Sequence, residues 1–275
     1  MTRLPFKQVD VFTGTPFFGN PVAVVIGAEE LDTETMQRIA GWTNLSETTF
    51  LLPPTQPGAS YKLRIFTPRQ ELPFAGHPTV GSAHAALESG FAKAVNGKLK
   101  QECGAGVLDL TVEDSRIYVR APEPKVKSVE APLFGKVQAL RVDVGPIWVV
   151  VDLGKAQAVD ELDPDMPAIE QMSNALGATG VTVFGRTGNA TIPIHVRSFA
   201  PAHGVPEDPV CGSGNVSVGA FLRQTGLLKE FGGSYTARQG MQVGRDGRVQ
   251  VRVGADAIQI GGEAVTCIDG KLRVD

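Results

Sequence analysis

The sequence predicts an α+β fold of two pseudo-symmetric domains, each a mostly antiparallel, β-barrel-like sheet wrapped around a central α-helix. Three observations point there. One is duplication: Arg64-x-Phe66-x-Pro68, followed by Pro73 and Ala75-Gly76-His77-Pro78, recurs as Arg197-x-Phe199-x-Pro201, followed by Pro206 and Cys211-Gly212-Ser213-Gly214. The copies lie 133 positions apart in 275 residues, as do Val9-Asp10-Val11 and Val142-Asp143-Val144, while Leu31-Asp32 and Leu162-Asp163 lie 131 apart. One period this long marks two related domains, because solenoid units are shorter. Another is that β-rich runs outnumber helical ones in both halves. Last, each repeated loop opens into a small, apolar segment without a charged face, which predicts a helix buried on nearly all sides. The alternative for these segments is an ordinary buried helix packed on one sheet face.

In chain order, strand-like runs fall at 6–12, 22–26, 48–52, 61–66, 107–112 and 117–120, then at 140–144, 148–153, 181–184 and 192–199. Further runs at 249–253, 258–260 and 265–268 follow, with Asp246-Gly247 and Asp269-Gly270 suited to hairpin turns. Amphipathic helices are predicted over 33–42, after Asp32 as N-cap, and over 166–176, after Asp163-Pro164. The two apolar helices fall at 79–87, with Pro78 at the start and Gly90 as stop, and at 216–222, closed by Gly226. The stretch 121–134, rich in Pro, Lys and Glu and without periodicity, reads as a linker. It separates a first domain, 1–121, open to receiving the extreme C-terminal strand, from a second, 135–275. Related domains tend to pack about a pseudo-twofold axis, so the active site is expected in the cleft between them, where the Gly76 and Gly212 loops meet.

Composition narrows the function classes. Hydrophobic content of 42% with 20% charged residues fits a soluble globular protein. A net charge of −3 argues against nucleic acid or an anionic membrane as partner. No apolar run reaches the roughly 18 residues of a membrane span, and Met1-Thr2-Arg3-Leu4-Pro5 lacks the apolar core of a secretion signal. Cys103, Cys211 and Cys267 are few, odd in number and widely spaced, which disfavours a disulfide scaffold or zinc site and suits a reducing cytoplasm. His77, His84, His195 and His203 lack metal-ligand spacing, so no metal is expected. No nucleotide-binding glycine motif follows a strand, and no cofactor is expected. His84 reads as internal to its helix, and His195 and His203 as peripheral.

The candidate chemistry gathers at the repeated loops. Two helices beginning there offer N-terminal N–H groups and partial positive charge, a natural seat for a carboxylate. Gly76, Gly212 and Gly214 either let backbone approach a ligand or merely close turns. His77 and Ser213 occupy equivalent positions, and His77 either donates to a substrate, carries a proton, or bonds backbone in a structural role. Asp208 lies in an insertion peculiar to the second loop, fit to orient His77 across a cleft or simply to form a turn. Glu47 sits where helix gives way to strand. If buried there, it is suited to general acid–base work; many such residues are exposed.

Several motifs resemble those of the phenazine-biosynthesis PhzF-like isomerase family. They are Asp10-Val11-Phe12-Thr13, Phe18-Gly19-Asn20-Pro21, Asn44-Leu45-Ser46-Glu47-Thr48-Thr49-Phe50, Arg64-Ile65-Phe66-Thr67-Pro68, the run from Glu71 to Thr79, and Pro206-Glu207-Asp208-Pro209-Val210 followed by Gly212-Ser213. The resemblance implies a diaminopimelate epimerase-like fold, usually in a homodimer. It also implies cofactor-free proton transfer on a small carboxylate, like that of trans-2,3-dihydro-3-hydroxyanthranilate isomerase. Carried over by position, Glu47 moves the proton, with His77, Asp208 and Ser213 assisting. Asn20, Ser46, Gly76, Cys211, Gly212 and Gly214 line the substrate. One departure is Cys211, where the family commonly has Thr. It opens a second possibility, an epimerase using a Cys211 thiolate, although the matching first-half position is Ala75. A third is a non-catalytic metabolite-binding or interaction protein.

Overall fold

A computed structural model describes residues 2–274, which divide into two compact units: one holds the chain up to Arg120 and from Gly261 onward, the other Ala121–Ile260. The first contains β1 (Arg3–Val11), β2 (Asn20–Ile26), α1 (Thr33–Thr43), β3 (Thr48–Leu52), β4 (Tyr61–Phe66), β5 (Glu71–Leu72), α2 (Gly76–Glu88), β6 (Lys98–Cys103), β7 (Gly106–Glu113) and β8 (Arg116–Arg120). The second contains β9 (Lys125–Val129), β10 (Ala139–Asp143), β11 (Ile147–Lys155), α3 (Ala156–Asp160), α4 (Met166–Ala175), β12 (Gly180–Arg186), β13 (Ile194–Ala200), β14 (Val205–Asp208), α5 (Gly212–Thr225), α6 (Leu228–Phe231), β15 (Ser234–Gln239) and β16 (Gly247–Val253). The strand β17 (Ile258–Gly262) runs across the division, and β18 (Ala264–Arg273) lies in the first unit.

Each unit repeats one pairing plan. In the first, β18 and β2 flank β1 antiparallel, β2 runs parallel to β3, β3 antiparallel to β4, and β4 parallel to β6. In the second, β9 and β11 flank β10 antiparallel, β11 runs parallel to β12, β12 antiparallel to β13, and β13 parallel to β15. Parallel neighbours need a crossover, and the helices supply it: α1 between β2 and β3, α3 and α4 between β11 and β12. The remaining crossovers, from β4 to β6 and from β13 to β15, pass through α2 and α5. These are the central helices. The first touches β1, β2, β3, β4, β8 and β18; the second touches β9, β10, β11, β12 and β16. A single sheet face does not contact so many strands, so the sheet curls around its helix in both units.

Small residues make that enclosure possible. A Cβ at Gly81 of α2 would lie 2.5 Å from Val22 Cγ1 and 2.8 Å from Val11 Cγ2. The outer faces are covered by α1 and α4. Behind α1, Met36 and Ala40 pack on Val25, Phe50 and Phe66; behind α4, Ile169 packs with Val149, Val151, Val181, Val183 and Phe199. Covered on both sides, β13 is buried at every position, which explains its lack of alternation.

Several expectations need correction. The stretch read as a linker carries β9, whose pairing with β10 repeats that of β18 with β1. Asp269-Gly270 does not turn; both residues lie within β18, opposite Lys7 and Phe6. Gly247 already pairs with Gln239, so the hairpin loop precedes it. The N-cap of α4 is Asp165, which the sequence reading did not single out, its carboxylate accepting from Ala168 N at 2.9 Å as Asp32 accepts from Thr35 N at 2.8 Å. Asp165 restores the 133-residue offset from Asp32. The central helices begin earlier than expected, at Gly76 and Gly212. His195 is buried rather than peripheral, with Nδ1 3.2 Å from Asp160. Among the described residues, no helix is long and apolar enough to cross a membrane.

Candidate active site

Within the first unit, the end of α1, the entry to β3 and the tip of α2 converge. Asn44 ends α1 in the left-handed region at φ 54°, turning the chain so that Glu47 enters just before β3. Its side chain is only 15% exposed, and Oε2 lies 3.4 Å from His77 Nε2. His77 is the second residue of α2 and is buried. Its imidazole hydrogen-bonds the backbone of Pro21, which offers only a carbonyl, so the ring donates. Nε2 carries no hydrogen bond among the described residues, which assigns that proton to Nδ1 and leaves the Nε2 lone pair facing Glu47. Burial pushes the imidazole down to about 3, so it is neutral at physiological pH.

The helix tip beside this pair has no side-chain cap, because Ala75 occupies the N-cap and makes no such bond. The first-turn N–H groups are therefore left for a ligand, with the partial positive charge of a helix N-terminus behind them. Gly76 is half-buried, Asn20 fully buried beside the Pro21 carbonyl, and Ser46 exposed.

Within the second unit, the β14–α5 loop gathers the remaining predicted residues. Asp208 Oδ1 accepts from Val210 N at 3.0 Å. Burial of the carboxyl pushes it up to about 6, against the hydrogen bonds from Cys211 and Val210 that favour its charged form. Cys211 is the N-cap of α5, its Sγ accepting from Gly214 N at 3.3 Å. Burial and the neighbouring Asp208 charge push this thiol well above its ordinary range. A neutral thiol here, opposite an alanine in the first copy, does not suit a two-thiolate racemase. Ser213 Oγ lies 3.5 Å from Cys211 Sγ. Gly214 has no room for a side chain, since a Cβ would lie 2.6 Å from Ser198 Oγ and 2.9 Å from Thr182 Oγ1. For this glycine, packing alone accounts for the residue type.

Sequence reasoning missed the groups that hold these loops. Asn215 Nδ2 donates to Cys211 O at 2.9 Å and to Gln239 Oε1 at 3.0 Å, while Gln239 Nε2 donates to Asp208 O at 2.9 Å. Thr79 and Gln101 take the corresponding places in the first unit, joined at 3.1 Å, with Tyr61 donating to Gln101. The duplicated loops offered a signal: Thr79 and Asn215 stand four residues after Ala75 and Cys211. Trp148, whose Nε1 donates to Ser213 Oγ at 2.9 Å, was also missed. Among the described residues, no group of three or more His, Cys, Asp or Glu side chains is placed to hold a metal ion.

Residues 9–270 match the family described as phenazine biosynthesis-like protein, PhzC-PhzF. The chain is 40% identical to antisense-enhancing sequence 1 of Schizosaccharomyces pombe, covering 98% of this chain and 99% of the relative. It is 32% identical to the trans-2,3-dihydro-3-hydroxyanthranilate isomerase of Pseudomonas aeruginosa, covering 97% and 98%. Among solved structures, a PhzF-family protein of Bacillus anthracis superposes with a TM-score of 0.88 at 26% identity, covering 99% of this chain and all of the other. A hydroxyproline epimerase from Agrobacterium vitis, at 16% identity and TM-score 0.66 over 98% and 92%, shares the fold.

Proposed function

Because the chain belongs to the PhzC-PhzF family of phenazine biosynthesis-like proteins and is a cofactor-independent isomerase, we propose that Glu47 moves a proton between two carbons of a small unsaturated carboxylate. The carrying observation is the contact of half-buried Glu47 with buried His77 beside an uncapped helix tip. A carboxylate facing the Nε2 lone pair is repelled by it, whereas a carboxylic acid donates to it. Glu47 can take a proton from one substrate carbon as the carboxylate and, as the acid then formed, hold it against the His77 Nε2 lone pair before releasing it to another. The neutral imidazole supports this without competing as a charged donor.

In the same proposal, each repeated loop is an anion-binding helix tip. The N–H groups at Gly76 in one unit, like those at Gly212 and Ser213 in the other, suit a carboxylate or the negative charge that spreads over an unsaturated system when a carbon-bound proton leaves. Asp208 helps to hold the substrate and its proton inventory. The substrate proposed is trans-2,3-dihydro-3-hydroxyanthranilate or a close relative, and the protein acts as a homodimer.

Turnover of that compound by point variants tests the assignment. Glu47→Gln should lose at least about a hundredfold in kcat, the scale of a positioned acid–base group. Cys211→Ala should stay within about threefold of wild type. A fully active Glu47→Gln, or an inactive but folded Cys211→Ala, would reverse the roles of the two residues.

A further inference from the structure

We propose that Trp148 is a positioning residue, whose indole N–H makes Ser213 a one-way hydrogen-bond donor toward the substrate. This rests on the isomerase function above. Indole nitrogen donates and never accepts, so at 2.9 Å Ser213 Oγ must be the acceptor. The hydroxyl proton of Ser213 is then directed elsewhere. Cys211 Sγ, 3.5 Å away, already accepts from Gly214 N, and its own proton is held toward Asp208. The chain of donors runs Trp148 to Ser213 and Cys211 to Asp208, so the Ser213 O–H points to Cys211 Sγ, a weak acceptor at 3.5 Å that a ligand oxygen displaces.

The indole is itself fixed. Trp148 is buried in β11, paired with Val142 on one side and Gly180 on the other. A Cβ at Gly180 would lie 2.9 Å from the Trp148 ring and 2.0 Å from the Phe199 carbonyl oxygen. The missing side chain at Gly180 is thus the space in which the ring sits. A donor held this way needs no reorganisation when negative charge develops on the substrate, which is the condition for stabilising a transition state more than a ground state.

The protein has two tryptophans, and Trp42 is 78% exposed, so an ¹⁵N-labelled sample gives two readily distinguished indole signals. In Ser213→Ala the slowly exchanging Trp148 signal should shift and exchange faster, with Trp42 unmoved. Trp148→Phe, which keeps a ring and removes the N–H, should lower kcat about tenfold with KM within about twofold. In a Ser213→Ala background the same substitution should change kcat less than about twofold. An equal loss in both backgrounds, or an indole signal unmoved in Ser213→Ala, overturns the proposal. If no variant nor wild type turns over the substrate, the isomerase assignment fails separately. The indole signal then decides alone whether Trp148 holds Ser213.

Discussion

Duplication places one ion pair in two different environments, and the stability of the two should differ severalfold. Arg197 donates from Nε and Nη2 to both oxygens of Glu207, at 3.0 and 2.9 Å, and from Nη1 to the carbonyls of Val159 and Leu162. Its side chain is 5% exposed and that of Glu207 7%. Arg64 makes the same fork with Glu71, at 2.7 Å for both bonds, but these side chains are 20% and 39% exposed. Glu207→Gln strands a buried guanidinium, a loss of about 3–5 kcal/mol, whereas Glu71→Gln leaves Arg64 within reach of water and costs about 0–1 kcal/mol. At about 2–4 °C per kcal/mol for a protein of this size, Glu207→Gln should melt about 10 °C lower and Glu71→Gln within about 3 °C of wild type. Calorimetry, with urea unfolding as a second probe, measures both. Equal losses would refute the claim that burial, rather than the fork geometry common to both copies, sets the contribution.

Other consequences follow from particular residues. His77 falls to about 3 when folded against an ordinary 6.5, so between those values the unfolded state binds more protons. Its contribution is complete above pH 6.5 and is lost as pH falls toward 3; His77→Asn should flatten that acid limb in pH-dependent melting. Asp208 acts with opposite sign: raised to about 6, it binds a proton in the folded state between about 4 and 6, so Asp208→Asn should stabilise the protein above pH 6 relative to wild type. Gly81→Ala forces a methyl group against Val22 and Val11 inside the curled sheet and should cost about 1–3 kcal/mol in urea unfolding.

What was legible in the sequence is what duplication writes twice. The Arg-x-Phe-x-Pro copies mark β4 and β13, and the small-residue segments mark α2 and α5, because enclosure by a sheet demands short side chains along a whole helix. Glu47 and His77 were legible as chemistry-bearing residues in suggestive places, but their 3.4 Å contact joins a strand entry to a helix tip across 30 positions of sequence. Long-range pairing overrode local signals elsewhere. Asp269-Gly270 has the composition of a turn, yet nine residues of β18 register against β1 and keep it extended. Lys125–Val129 has few apolar residues, yet the edge of β10 makes it a strand. Trp148 reads as one more apolar residue in a core run; only the fold shows its N–H meeting Ser213.

The most direct measurement is isomerisation in deuterated water, followed by NMR of the product. A single acid–base residue should place solvent deuterium at one specific carbon with wild-type protein, and Glu47→Gln, though folded, should incorporate none above the uncatalysed rate. Deuterium appearing equally with both proteins would remove Glu47 from the chemistry.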